Sequence, residues 1–219
     1  MSTIFTGEYW TIQRFVSGFS NNAFLVTCAR TNKSLIIDTP ADPHELIEAV
    51  HSTRPEAVLI THGHQDHVEG FGDVSESFKV SVGIGSRDRS SLPENANISI
   101  NVAAGETIRI GDVMIRTLAT PGHTPGSTCY LLESQESNRA DEQSHVFTGD
   151  TLFPGGPGRS SSPEALQQII KSLREKIFTL PDSVAVLPGH GEFTTIGAAK
   201  AEYAAFAATP LDPDLFGDV

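Results

Sequence analysis

The sequence predicts a mixed α and β fold of two sheets with helices packed outside. Two observations carry this expectation. Strand-like and helix-like runs alternate through the first half, while the second half opens on hairpins and closes with a helix, a strand and a helix. At 219 residues the chain is long enough to bury a substantial core, and the expectation is a single domain over residues 1–219.

Residues 9–16 and 22–28 read as strands around a turn at 17–21. Residues 34–38 form a third strand that ends in the carboxylate of Asp38. A helix follows, with Asp42 as cap, Pro43 in the first helical position and Glu45 completing a capping box. Leu46, Ile47 and Val50 supply its apolar face, and Arg54-Pro55 ends it. Residues 57–60 are a short apolar strand, 68–77 a short helix and 78–82 a further strand.

Thr107–Ile110 and residues 113–116 alternate around Gly111-Asp112, as a hairpin does. Residues 127–132 and 146–148 are strands, separated by a polar stretch at 134–144 that reads as an exposed loop. Ser162 caps a helix opened by Pro163, and Leu166, Ile169, Ile170, Leu173 and Ile177 form its buried stripe. A last strand at 184–187 and an alanine-rich helix at 198–208 precede a loosely held tail at 210–219.

Composition narrows the function. Lys and Arg total 15 against 27 Asp and Glu, a net charge of -12, which argues against a nucleic-acid partner. Cys28 and Cys129 lie in apolar runs and read as buried, reduced thiols. The N-terminus lacks the basic and apolar regions of a signal peptide, and no run approaches the length of a membrane span, so a soluble, cytoplasmic protein is expected.

Ligand chemistry concentrates directly after the 57–60 strand, in His62-x-His64-x-Asp66-His67. His62 and His64 leave the strand end at i and i+2 and point to one side, while Gly63 lets the backbone bend. Asp66 and His67 follow a short turn later, where a loop or helix start can turn them toward a second centre. Imidazole and carboxylate together suit zinc and other borderline divalent metals. A single loop histidine is usually just solvated, but four ligand-type side chains at the mouth of a strand point to a metal site. His123, Asp150 and His190 each follow a strand and lie beside glycines, which let the backbone approach a ligand closely. His44, His51 and His145 match no motif and are expected in solvent.

This order of residues resembles the metallo-β-lactamase fold superfamily, from about Asn22 to Gly191, with Asp38 in Leu35-Ile36-Ile37-Asp38 as a further shared motif. The resemblance implies an αββα sandwich of two mixed β-sheets flanked by helices, with metals at one edge. It implies two divalent ions, zinc first, with iron or manganese as alternatives. His62, His64 and His123 would hold one ion, and Asp66, His67 and His190 the other. Asp150 would bridge them, with Asp66 and Asp150 in catalysis and Asp38 as a supporting carboxylate near the first group.

Asp150 as bridge, Gly122-His123-Thr124-Pro125-Gly126-Ser127 and Gly155-Gly156-Pro157-Gly158-Arg159 resemble the glyoxalase II-like (hydroxyacylglutathione hydrolase-like) branch, although Ser160-Ser161-Ser162 replaces the acidic continuation usual there. The chain ends soon after His190, so the helical glutathione-binding domain of that branch is not expected. The implied activity is cleavage of a small thioester or related activated ester by a metal-bridging hydroxide, which fits the lack of a Gly-x-Ser-x-Gly elbow. Arg159 is a candidate contact for an anionic substrate group, and Asn21 and Asn22 are weaker ones. The rival is a mononuclear iron enzyme resembling persulfide dioxygenases on the same fold, using His62, His123 and Asp150. The acyl group, the thiol and the oligomeric state are not readable in the sequence.

Overall fold

Two six-stranded sheets are built on the same plan. The computed structural model describes residues 1–133, 143–208, 212 and 214–219, so most of the expected 134–144 loop and part of the expected tail lie outside the described residues. The first sheet runs in spatial order β1 (Ser2–Thr6), β2 (Trp10–Ser17), β3 (Asn21–Cys28), β4 (Lys33–Ile37), β5 (Arg54–Leu59) and β6 (Ser81–Gly83). Its first four strands are antiparallel, and β4, β5 and β6 are parallel.

The second sheet contains β7 (Thr107–Ile110), β8 (Val113–Ala119), β9 (Thr128–Glu133) and β10 (His145–Gly149), again antiparallel. Beside β10 lie parallel β13 (Ala185–Pro188) and then antiparallel β14 (Thr194–Thr195). A small ribbon, β11 (Leu152–Phe153) with β12 (Gly156–Pro157), stands apart.

Period-two alternation sorts each strand between layers. Phe24, Val26, Leu35, Ile37, Ala57 and Leu59 face Ile115, Tyr130, Leu132, Phe147 and Leu187 in the core between the sheets. Their neighbours Leu25, Ile36, Val58 and Ile60 face outward, under α1 (His44–Val50), α2 (Gln65–Val68) and α3 (Phe71–Ser77). Because both faces are covered, β3 is buried at every position, and its apolar centre Ala23–Val26 runs without alternation. On the far side, α4 (Pro163–Ser172), its π-helical continuation Leu173–Ile177 and α5 (Ile196–Phe206) cover the second sheet. Ser162 caps α4 as expected, its hydroxyl accepting from the Ala165 N–H at 3.2 Å. The fold is thus the αββα sandwich that the resemblance implies.

Several local expectations change. β1 and β14 are additional strands, each short and at a sheet edge, where little apolar pattern is needed. No side chain caps α1: Asp42 turns the chain in the left-handed region at φ 52, and Pro43 occupies the cap position. The helix stops at Val50, and Arg54-Pro55 opens β5 instead of ending a helix. The expected 68–77 helix is two helices split at Gly70, where a Cβ would lie 2.3 Å from the Pro40 carbonyl oxygen. Cys28 and Cys129 are buried and free, as expected. No helix among the described residues is long and apolar enough to cross a membrane.

His145 is not in solvent. It is 3% exposed, with its ring edge-on to Phe5 of β1 at 4.5 Å between centroids. Burial outweighs a hydrogen bond to the Gln143 backbone and lowers its pKa from 6.5 to about 4. Between those values the unfolded chain takes up a proton that the native state refuses, so stability falls as pH drops through this window. His145→Phe keeps a ring against Phe5 and removes the titration. Urea unfolding of metal-free protein at pH 7, 6 and 5 should show the variant gaining on wild type as pH falls, by about 2 kcal/mol at pH 5. A pH-independent difference between the two proteins would show that His145 is not buried in its neutral form.

Candidate metal centre

Five strand ends meet at one edge of the sandwich. Because β4 and β5 are parallel, as are β10 and β13, the loops that follow them open on the same side. Asp38 follows β4, the His62–His67 stretch follows β5, His123 follows β8, Asp150 follows β10, and His190 follows β13. Hydrogen bonds between the sheets concentrate here. The Tyr130 hydroxyl donates to the Ile60 carbonyl at 2.8 Å, the Thr128 N–H to the Thr61 carbonyl at 2.8 Å, and the Asn22 N–H to the Gly189 carbonyl at 2.7 Å.

The predicted ligands all converge. The ligand atoms of His62, His64 and His123 lie within 4.8 Å of one another, as do those of Asp66, His67 and His190, and of His62, His67 and Asp150. Asp150 stands between the groups. Its Oδ1 is 3.4 Å from His67 Nε2, and its Oδ2 is 3.6 Å from His123 Nε2 and 3.5 Å from His190 Nε2. Gly189 makes this approach possible, since a Cβ there would lie 2.4 Å from Asp150 Oδ1.

Outer partners decide which nitrogen each imidazole turns inward. The Thr61 hydroxyl has one proton and donates it to Asp38 Oδ2 at 2.7 Å, so the His62 Nδ1–H donates to Thr61 Oγ1 at 3.1 Å. That leaves His62 Nε2 as a bare lone pair facing the cluster. Asp38 Oδ2 also accepts from His67 Nδ1 at 3.0 Å, and Asp38 Oδ1 accepts from the Thr61 N–H at 2.7 Å. Asp38 therefore touches His67 directly and reaches His62 through Thr61. His123 Nδ1 donates to the Arg159 carbonyl at 2.8 Å, and His190 Nδ1 to the Phe19 carbonyl at 3.2 Å. Such partners orient imidazole ligands and raise their basicity.

Of the five buried side-chain polar atoms that have no hydrogen-bond partner among the described residues, two face this cluster, His62 Nε2 and Asp150 Oδ1, although buried polar atoms are as a rule paired. Together with the imidazole and carboxylate donor set, these orphaned atoms fit divalent cations. The charges fit as well. Burial and the neighbouring histidines hold His62 well below its usual pKa, so it stays neutral. Burial also works against the His67 cation, but the neighbouring carboxylates of Asp150 and Asp38 outweigh it and raise His67 to about 10. Burial opposes ionisation of Asp66 and Asp150 too, yet a hydrogen bond from Asn21 and the charge of the nearby His67, respectively, keep both carboxyls below their usual range. A cation held here would take the place of the proton on His67.

Asn21 and Asn22 have roles other than the one expected. Both are almost fully buried and serve the ligand loops instead of facing substrate. The Asn21 amide donates to Asp66 Oδ2 at 2.9 Å, and the Asn22 amide donates to the Pro188 and Gly191 carbonyls at 2.9 and 3.1 Å. Arg14, which carried no sequence signal, donates to Asn22 Oδ1 at 2.8 Å and to the Gly191 carbonyl at 2.6 Å. Asp88 is likewise buried between ligand loops and lay in no motif.

The centre is closed at His62 and His67 and open at His64, where a cleft of about 450 Å³ is bounded by His64, His123, Asp150, Phe153, Arg159 and Asp218. Arg159 is exposed at this cleft while its carbonyl orients His123. Gly217 and Ser160 exchange backbone hydrogen bonds of 3.1 Å, which brings Asp218 to the rim.

Residues 16–190 match the profile of the Metallo-beta-lactamase superfamily. The hydroxyacylglutathione hydrolase GloC of Haemophilus influenzae is 31% identical over 204 residues, covering 84% of this chain and 92% of that protein. A metallo-beta-lactamase from Staphylococcus aureus superposes with a TM-score of 0.78 at 25% identity, over 95% of this chain and 65% of that one. ETHE1 from Myxococcus xanthus does so with a TM-score of 0.68 at 26% identity, over 92% of each. The profile match covers most of the chain, and the sheets and ligand loops agree with it: the protein belongs to the metallo-β-lactamase superfamily.

Proposed function

We propose that the protein is a binuclear metal-dependent hydrolase that cleaves a small thioester or related activated ester. One observation carries this reading: a complete second ligand group, Asp66, His67 and His190, stands beside His62, His64 and His123, with Asp150 between them. A binuclear hydrolase would use both groups. Similarity to a hydroxyacylglutathione hydrolase supports the choice of bond, since an acyl-glutathione is a thioester.

In this reading His62, His64 and His123 hold one zinc-class ion, Asp66, His67 and His190 hold the other, and Asp150 serves both. When bound, such ions lower the pKa of a water and polarise a carbonyl oxygen. The chain's own residues prepare the site. Asp38 and Thr61 keep lone pairs of His62 and His67 turned inward, Asn21 aims Asp66, and the carboxylates of Asp66 and Asp150 orient the attacking water. The substrate enters past His64, with its acyl carbon over the centre and an anionic group toward Arg159.

A second reading has its own support. His123 Nε2 lies 3.6 Å from Asp150 Oδ2 close to His62, so a two-histidine, one-carboxylate iron set is also present. ETHE1 is among the structural neighbours. This reading makes the protein a persulfide dioxygenase-like oxidoreductase.

The two readings part at His190. Elemental analysis of zinc-loaded wild type should give about two ions per chain, as a binuclear site requires. His190→Ala should retain the first ion and lose most thioester hydrolysis. In a parallel assay, oxygen uptake with a low-molecular-weight persulfide is measured on iron-loaded and zinc-loaded protein. Rapid iron-dependent uptake that survives His190→Ala, with no ester or thioester turnover, would sink the hydrolase reading.

Arg159→Ala removes the guanidinium and leaves the carbonyl that orients His123. It should raise KM for an anionic thioester about tenfold, with little change in kcat, the mark of lost uniform binding. Equal kinetics of variant and wild type on anionic and neutral substrates would remove Arg159 from the site.

A further inference from the structure

The loop that carries His62 and His64 and the loop that carries His123 come from different sheets, and one buried carboxylate joins them. Asp88 belongs to neither loop. It lies in the short 3₁₀ turn Ser86–Ser91 and is 6% exposed. Its Oδ2 accepts from the Gly63 N–H at 2.9 Å and from the Thr124 hydroxyl at 2.5 Å, and its Oδ1 accepts from the Gly126 N–H at 2.8 Å. Gly63 separates His62 from His64, and Thr124 follows His123. Thr124 is fixed in turn by Ser127, whose Oγ accepts from the Thr124 N–H at 3.0 Å.

The surroundings are shaped for this contact. A Cβ on Gly126 would lie 2.5 Å from Asp88 Cγ, and one on Gly63 would lie 2.3 Å from Ser91 Oγ at the other end of the same turn. Packing alone would be served by an apolar side chain. A buried carboxylate is tolerated only where donors satisfy it, and here the donors come from both ligand loops. The second ligand group has supports of its own: Asp38 on His67, Asn21 on Asp66, and Arg14 with Asn22 on the His190 loop.

We propose that Asp88 is a positioning residue that locks the His62–His64 loop to the His123 loop across the two sheets, and so sets the metal affinity of that group selectively. The proposal rests on the binuclear reading for the ion involved. The lock itself is a property of the metal-free chain.

The test uses Asp88→Ala and the isosteric Asp88→Asn. Chelator competition with zinc should resolve two equivalents in wild type. One of them, the equivalent lost in His64→Ala, should weaken 10- to 100-fold in Asp88→Ala, as removal of an outer-sphere partner does. Asp88→Asn should weaken the same equivalent by less, because the amide keeps one acceptor. The equivalent lost in Asp66→Ala should stay within about threefold of wild type, where a general loss of stability would weaken both. In metal-free protein, Asp88→Ala should speed hydrogen exchange at the Gly63 and Gly126 amides together. Equal weakening of both equivalents, or unchanged affinity with protected amides, would overturn the proposal while leaving the metal centre standing. A wild-type protein that binds no zinc would overturn both.

Discussion

The centre depends on one buried carboxylate, Asp38. It leaves the end of β4 in the left-handed region at φ 59 and collects the Thr61 N–H, the Thr61 hydroxyl and His67 Nδ1. Those three bonds hold the chain as it leaves β5, fix the tautomer of His62 through Thr61 and turn His67 inward. Without the Asp38 carboxylate, three buried donors would be stranded, each at a cost of about 1–3 kcal/mol. Substrate never needs to touch Asp38 for it to decide whether lone pairs of both ligand groups face the same point.

The remaining supports are distributed in the same way. Asn21, Asn22 and Arg14 serve the His190 side, the Arg159 carbonyl serves His123, and Asp88 joins the His64 and His123 loops. His64 is the ligand left toward the open cleft, beside Phe153, Arg159 and Asp218. A rigid, closed floor and an open mouth are what a hydrolytic site needs, since positioning is complete before substrate arrives.

The residues that converge at this edge were legible in the sequence because they are local signals: three histidines and an aspartate packed after one strand, and three more such side chains at glycine-flanked strand ends. The Ser162 cap and the Gly111-Asp112 hairpin were legible for the same reason. The supports were not. Arg14 meets Gly191, and Asp88 meets Gly126, across long stretches of chain, and no periodicity marks such pairs. His145 shows the same blindness, since its cover is Phe5 on an edge strand too short to announce itself. Asp42 failed as a helix cap because the turn after Pro40 places it in the left-handed region, which no local cap pattern encodes.

The shared plan of the two sheets has a mechanical consequence. In each half four antiparallel strands lead through a helix, α1 or α4, to a parallel strand, β5 or β13. Asp38 and Asp150 end equivalent strands, and so do the His62 stretch and His190. In the proposed assignment each ion draws ligands from both halves, His62 and His64 with His123, and Asp66 and His67 with His190. A bound ion is then a rivet through the sandwich, and ligation stabilises the seated sheets over any state in which they slip. Metal affinity becomes a strain gauge for the interface. A core substitution far from the edge, anywhere between Trp10 and Leu187, would register at the centre by shifting one half of its ligands against the other.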